Sequence, residues 1–391
     1  MDTVRIAIIG IGNIGSAHSS CIASGKIKGL SLVALCDNNH ERLDFFKQMY
    51  PECRCFLEYK ELIDSNIADA VIIAVPHPYH AQIAEYAFEH GMHVLLEKPV
   101  DICISSARKL NEIAERSGKI FGIMFNQRTN TLFAKIREIV HQGTLGTPRR
   151  LIWTVTNWYR TQRYYDSGEW RGTWKGEGGG VLINQAPHNL DLWQWIFGMP
   201  KRLRAFCYEG KYHHIEVEDD VTIYGEYDNG ATAIFIASTG EYPGSNRLEI
   251  TGDCGKLVAE NGKLTLWTLS ESERNYCFDM EAKVPPQITS KVFEFSNSEH
   301  EHQNILKNFA DAVLYGTQLI SPGYDGIYEL TLSNAAYLSS WTDSWIDIPF
   351  DECIFDETLE KKISTSSFKP LNGKQLNLPH NEYNKRWVTH W

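Results

Sequence analysis

The residues VRIAIIGIGNIG at positions 4–15 run an apolar strand directly into Gly10, Gly12 and Gly15. A strand without polar alternation is buried on both faces, and such strands belong to parallel sheets covered by helices. The G-x-G-x-x-G spacing is weak by itself, but at a strand-to-helix junction each glycine has a separate task. Gly10 permits a tight turn, Gly12 lets the backbone approach a pyrophosphate, and Gly15 lets the helix pack close to the strand. Asn13 and Ile14 open the helix, whose N-terminus favours negative charge. The spacing predicts a dinucleotide-binding turn.

The following residues keep the same rhythm. The runs LSLVALCDNN, ADAVIIAVP, HVLLEKP and IFGIMFNQR alternate with the helical stretches HERLDFFKQMY, YHAQIAEYAFEHG and SSARKLNEIAERSG. This predicts a doubly wound α/β domain of the Rossmann type over residues 1–125. Near Pro148 the chain changes character. RRLIWTVTNWY, RLRAFCYEG, DVTIYGEYDNG, ATAIFIAST, NRLEITGDCG and KLTLWTLS are strand-like, and Asp-Asn-Gly and Glu-Asn-Gly turns break them up. Such turns signal hairpins, hence antiparallel pairing. Residues 126–391 are expected to form an α+β domain around an open-faced, mostly antiparallel sheet. Helices over about Glu299–Leu314 and Gly326–Ser340 are expected to pack on one face of that sheet. From Phe350 the tail is polar and offers no clear pattern.

Ligands of open α/β sheets bind at the carboxyl ends of the strands. Asp37 closes the second strand, where a carboxylate accepts ribose hydroxyls and repels a 2′-phosphate, so NAD is expected and NADP less so. The fourth strand ends in Pro76, His77 and His80, beside the cofactor, although His80 also suits a plain helix start. The fifth ends in Glu97, Lys98 and Pro99. A lysine there lies next to the nicotinamide, whose cationic ring lowers the lysine pKa and readies it to stabilise an alkoxide. Pro99 fixes the local backbone, with a cis bond as one way of doing so.

Composition narrows the partners. At 391 residues, with 43% hydrophobic and 22% charged residues, the chain has the make-up of two globular domains. A net charge of -11 argues against nucleic acid and acidic lipid surfaces. The apolar runs are too short to span a bilayer, and the N-terminus lacks the pattern of a secretory leader. Nine scattered cysteines read as reduced thiols of a cytoplasmic protein. Cys53 and Cys55 have no second pair at zinc spacing, so no metal is expected.

A second constellation is GEGGGVLINQAPHNLDLWQW, residues 176–195. Together with the N-terminal glycines, the EKP tripeptide and the antiparallel sheet to follow, it resembles the Gfo/Idh/MocA oxidoreductase family over residues 3–345. The resemblance implies a Rossmann domain, an open-faced sheet often packed between subunits in a homo-oligomer (dimer or tetramer), and hydride transfer between NAD(P) and a carbinol carbon of a sugar, cyclitol or glycoside. It assigns catalysis to Lys98, and to His188 as the group taking the hydroxyl proton. The family motif D-x-x-x-H has Asn184 in place of its aspartate, which removes a charge from this site.

Asn184, His188 and Asp191 stand at i, i+4 and i+7, one face of a helix. Pro187 belongs in a first turn, which starts that helix near Asn184 and makes Asn184 either an N-cap or a site residue. Asp191 reads as an orienter of His188, a substrate ligand or a surface contact. Upstream, NWYRTQRYYDSGEWRGTWKGEGGG offers Arg160, Arg163, Tyr164, Trp170, Arg171 and Trp174 as a carbohydrate wall, since aromatic faces stack on sugar rings. An aromatic core or an interface is the competing reading. FNQRTN adds Asn126 and Arg128 at the domain junction, and His213 and His214 read as a solvated turn. The expected activity is an NAD-dependent dehydrogenase. Its rivals are a glycoside-cleaving enzyme that uses NAD transiently and a non-catalytic sugar or NAD sensor.

Overall fold

The structure, a computed structural model, describes residues 3–295 and 301–369. Six strands form a parallel sheet: β1 (Val4–Ile9), β2 (Leu30–Cys36), β3 (Arg54–Phe56), β4 (Ala70–Ile73), β5 (His93–Leu96) and β6 (Phe121–Ile123), in the order β3-β2-β1-β4-β5-β6. β1 pairs with β2 on one side and β4 on the other, so the strand order reverses there and a crevice opens at its carboxyl end. Val4, Ile6, Ala7, Ile8 and Ile9 are at most 2% exposed, as a strand covered on both faces requires. Asn39 caps the His40–Met49 helix by accepting from the Arg42 amide, and Gly118 ends the Ile104–Ser117 helix in a left-handed conformation.

Nine strands form the second sheet: β7 (Pro148–Val155), β8 (Arg202–Glu209), β9 (Glu218–Glu226), β10 (Thr232–Ser238), β11 (Asn246–Gly252), β12 (Gly255–Glu260), β13 (Lys263–Leu269), β14 (Ile288–Glu294) and β15 (Ile346–Asp347). Their order is β14-β13-β12-β11-β7-β10-β9-β8-β15, antiparallel throughout except between β7 and β10. Period-two alternation turns Ala233, Phe235 and Ala237 of β10 inward. Trp193, from the Pro187–Phe197 helix, stacks on Phe235 with ring centroids 5.8 Å apart, and Trp153 meets the same ring edge-on at 6.3 Å. The core of the sheet thus anchors the helix that carries His188; truncating a tryptophan buried this deeply costs about 3–5 kcal/mol.

One expected packing is corrected. The Glu301–Tyr315 helix does not cover the second sheet: Ile305, Leu306, Phe309 and Ala310 join Ile6, Ile8 and Ile72 in the core of the first. The parallel sheet needs cover on both faces, and the chain returns after β14 to supply it, with Gly122 bridging to Pro322. The Gly326–Thr342 helix does lie along the second sheet. Beyond the two-residue β15, its Ser339 and Ser340 hydroxyls accept from the Ala205 and Cys207 amides of β8, closing an otherwise open edge. The polar tail forms a helix over Glu352–Thr365, capped by Asp351 and burying only Phe355 and Leu359. The closing HNEYNKRWVTHW lies outside the described residues.

Candidate active site

At the carboxyl end of β1, Gly10 has φ +86°, and a Cβ there would lie 2.6 Å from the Ala74 oxygen. One on Gly15 would lie 1.9 Å from the Gly10 oxygen, so neither position tolerates a side chain. Gly12 has nothing closer to such an atom than Arg42 Nη1 at 3.7 Å, which leaves the backbone of the turn open. The Asn13–Ala23 helix, whose second residue is Ile14, starts there without a side-chain cap, so its first amides are available to an anion. Asp37 accepts from the Ile11 and Asn39 amides, each at 2.9 Å, which fixes the turn against the end of β2. Each carboxylate oxygen keeps a further lone pair for a ribose hydroxyl. The residues present fit a dinucleotide.

Pro76 precedes a short 3-10 turn, His77–Tyr79, at the end of β4. His80 sits between two carbonyl oxygens, 2.7 Å from that of Pro99 and 2.8 Å from that of Val75, and so ties this turn to the cis Lys98–Pro99 peptide. His77 Nδ1 lies 3.1 Å from the Glu177 oxygen; burial, with the charges of His80 and Lys98, holds its pKa well below the ordinary histidine value. Glu97 Oε1 lies 2.7 Å from Nε2 of the buried His18. Burial would raise the Glu97 carboxyl, but the hydrogen bond and charge of His18 outweigh it and hold the carboxyl below its usual range.

Lys98 Nζ donates to the main-chain oxygen of Asn184 at 2.7 Å. Burial lowers its pKa, while Glu97, Glu329 and Glu177 pull the other way. His188, 9% exposed, is driven well below the ordinary histidine value by burial and by the charges of Lys98 and His302. His302 is itself pushed down to about 4, chiefly by burial and then by His18, and its Nδ1 lies 3.2 Å from Asn126 Nδ2. Two histidines, His188 buried and His302 half-buried, and a lysine, all of lowered pKa, therefore converge beside the crevice of the first sheet.

The helix of His188 begins later than its sequence suggests. Pro187 is its first residue and Ala186 its N-cap, without a side-chain bond, so Asn184 stands in the preceding turn and caps nothing. Asn184 Nδ2 donates instead to Glu177 Oε1, and to the Tyr164 hydroxyl at 3.4 Å. The cause is the anchoring of the glycine run: the Gly180 and Leu182 amides both donate to Glu218 at 2.9 Å, and Tyr337 donates to the same carboxyl at 2.7 Å. A Cβ on Gly180 would fall 1.9 Å from the Glu218 oxygen, so the close approach these glycines permit is to β9.

The expected carbohydrate wall divides in two. Trp174 is a core residue, 3% exposed, and packs edge-on against Tyr337 and Trp341. Arg163 is exposed. Around the Asn184 turn remain Tyr164, Trp170, Arg160 and Arg171. Arg171 donates to the Tyr164 hydroxyl at 2.6 Å and lies 4.3 Å from the Trp170 ring centre, while Arg160 lies over the Tyr164 ring, 5.1 Å from its centre. His213 bridges Asp219, at 2.8 Å, and the Arg160 oxygen, also at 2.8 Å, which makes it a brace behind the wall. Arg128 and Asp191 are taken up by each other in a buried bidentate pair at 2.9 and 2.6 Å.

Three acidic or basic groups near Lys98 escaped the sequence reading. Glu177 sat inside the quoted glycine segment, where a lone glutamate reads as a solvated charge. His302 lies in EHEHQN, which carries no spacing signal. Glu329 is an ordinary helix residue by sequence, yet it is 0% exposed with no hydrogen-bond partner among the described residues, and burial, then Asp191, raises its pKa well above the carboxyl range.

Two family models match in tandem: "Oxidoreductase family, NAD-binding Rossmann fold" over residues 4–125 and "GFO/IDH/MocA C-terminal domain" over residues 133–258. The chain belongs to the Gfo/Idh/MocA oxidoreductase family. Among its relatives is the myo-inositol 2-dehydrogenase of Thermotoga maritima, 22% identical over 69% of this chain and 79% of that protein. Another is a glycosyl hydrolase family 109 protein of Shewanella baltica, 27% identical over 46% of this chain and 42% of the other. The fold matches that of the WlbA dehydrogenase from Bordetella pertussis, crystallised with NADH and UDP-GlcNAcA, with a TM-score of 0.76 over 90% of this chain and 99% of that one, at 22% identity. The chain is thus an NAD-binding oxidoreductase of this family.

Proposed function

We propose that this oxidoreductase is an NAD-dependent dehydrogenase acting on a CH–OH group of a sugar, cyclitol or glycoside. The observation that carries the reading is the pairing of a buried, neutral histidine with a lysine of lowered pKa at the carboxyl edge of the first sheet. The cofactor, held by the Gly10–Gly15 turn and Asp37, supplies the hydride acceptor or donor. Lys98, steered by the Asn184 oxygen, donates a hydrogen bond to the reacting oxygen. His188, kept neutral by burial, takes the hydroxyl proton as the C–H bond breaks and returns it in the reverse direction. Tyr164, Trp170, Arg160 and Arg171 offer ring faces and donors suited to a hydroxyl-rich ring. The myo-inositol 2-dehydrogenase relative, and the UDP-GlcNAcA bound with NADH in the WlbA dehydrogenase, support this class.

Assembly as a homo-oligomer through the open face of the second sheet is part of the same reading, supported by Phe206 and Tyr208, 47% and 49% exposed on β8. So is a cytoplasmic location. No helix among the described residues is long and apolar enough to cross a membrane.

A panel of sugars, cyclitols and glycosides with NAD or NADP, followed at the NADH absorbance, tests the proposal. Reduction of NAD by at least one class supports it. The hydrolase relative favours a second reading, in which oxidation acidifies a neighbouring C–H, elimination expels the aglycone, and water and hydride restore the sugar. Aglycone release from aryl glycosides with catalytic NAD and no net NADH would select that reading instead.

A further inference from the structure

Glu177 is 1% exposed and stands three residues before the closed glycine segment of Gly180. One carboxyl oxygen accepts from the Asn184 side-chain amide and the other from the Gly172 amide at 2.5 Å. Its own main-chain oxygen meets His77, and the Asn184 oxygen receives the Lys98 ammonium. The buried carboxyl therefore holds the 172–177 loop to the residue against which Lys98 is set, while the main-chain oxygen of the same residue meets the end of β4. Among the described residues, the other partner of the Asn184 side chain is the Tyr164 hydroxyl, at 3.4 Å.

Resting on the dehydrogenase reading above, we propose that Glu177 is the positioning residue of the hydride-transfer centre. It fixes Asn184, and through the Asn184 carbonyl it fixes Lys98, and its negative charge holds the Lys98 proton in place until the reacting oxygen arrives. The charge of Glu177 is set in turn by its surroundings. Burial raises its pKa, against Arg171, the Gly172 amide, Asn184 and Lys369, the last reaching in from the described end of the chain. Lys98 is faced by Glu97 on its own strand, Glu177 from the loop, Glu329 from the Gly326–Thr342 helix, Arg160 after β7, and the rings of His77, His80, His188 and His302. Removing one carboxyl from this set leaves the others in place, so the expected change in Lys98 is a shift and not a collapse.

A glutamine at 177 keeps the shape but cannot serve both partners. Its oxygen can accept from Asn184 or from Gly172, and its amide must then face the other donor. Two measurements on Glu177→Gln separate this role from a merely structural one and from failure of the dehydrogenase reading. The first needs no substrate: the pH dependence of Lys98 labelling by a small amine-directed reagent, mapped by mass spectrometry. The labelling midpoint is expected to move down by at least about half a pH unit, because the ammonium loses a stabilising charge. The second, on the best substrate of the wild-type enzyme, is kcat against KM: kcat is expected to fall about 10- to 100-fold with KM and NADH affinity within about threefold. An unshifted labelling midpoint overturns the proposal, whether or not a substrate has been found. So does a variant with wild-type kcat. Wild-type protein inactive on every substrate, with the midpoint shifted, would sink the dehydrogenase reading and leave the Glu177–Lys98 coupling standing. Glu177→Asp, which keeps the charge but falls short of Asn184, is expected to restore the midpoint more fully than it restores kcat; a midpoint that stays as low as in Glu177→Gln contradicts the assignment.

Discussion

Arg128 and Asp191 form a bidentate ion pair, with both side chains 1% exposed, that joins the end of the first sheet to the helix carrying His188. Arg128 also reaches Asp325, at 2.6 Å, at the head of the Gly326–Thr342 helix. Burial works against the guanidinium charge, and the two carboxylates more than offset it. Breaking such a pair leaves a buried charge uncompensated, which costs about 3–5 kcal/mol, whereas replacing both partners with apolar groups costs far less. Asp191→Asn and Arg128→Met are each expected to lower stability by that amount in urea titrations, and the Arg128→Met, Asp191→Leu double variant to recover part of it. A loss below about 1 kcal/mol in the single variants would show that the pair does not join the elements.

The pH profile should be set by two groups whose pKa values have moved the same way. His188 lies well below its ordinary value, so it stays neutral and able to accept a proton until the pH falls far under 6.5. Lys98 is lowered from 10.5, so its proton is lost earlier on the alkaline side. For alcohol oxidation, kcat/KM should hold steady through neutrality, fall on the acid side only below the normal histidine range, and fall on the alkaline side before the normal lysine range. An acid limb centred at or above 6.5 would exclude His188 as the proton acceptor.

In the proposed reading, cofactor choice rests on Asp37. Replacing it with serine removes the charge that repels a 2′-phosphate and loosens the hold on the Ile11 and Asn39 amides. Asp37→Ser should weaken NADH binding about tenfold and narrow the preference over NADPH by at least as much, read by fluorescence titration. Unchanged discrimination would place the selection elsewhere.

The fold was legible because apolar runs and turn residues report directly on burial. The unalternating β1 fixed the parallel sheet, and the Asn-Gly turns fixed hairpin pairing. The Glu301–Tyr315 helix was placed on the wrong sheet because an apolar stripe states that a helix is buried and not against what. The geometry of the candidate site was legible where residues follow strand ends, for Gly10, Asp37, His77 and Lys98 all stand at the carboxyl edge of the first sheet. Glu177, His302 and Glu329 were not, because each becomes chemical only through neighbours far along the chain. The tryptophan-rich stretch promised a sugar wall, yet stacking on a ligand and stacking in a core use the same residues, and Trp174 proved to be core.

Asn184 gives a sharper test of the local charge balance. An aspartate there would face the Glu177 carboxyl directly, and two carboxyls in contact cannot both ionise. Asn184→Asp should therefore lower kcat/KM at pH 8 by at least about tenfold, with relative recovery toward acid pH as the pair shares a proton. Activity that rises or stays flat at pH 8 would mean that the site has room for a second negative charge.

The proposed chemistry turns on Lys98 acting on the reacting oxygen. Its most direct measurement is single-turnover hydride transfer in Lys98→Met, with NADH binding measured alongside. A loss of at least about 100-fold in the transfer rate is expected, with cofactor affinity within a few-fold of wild type. A variant that transfers hydride at the wild-type rate would contradict it.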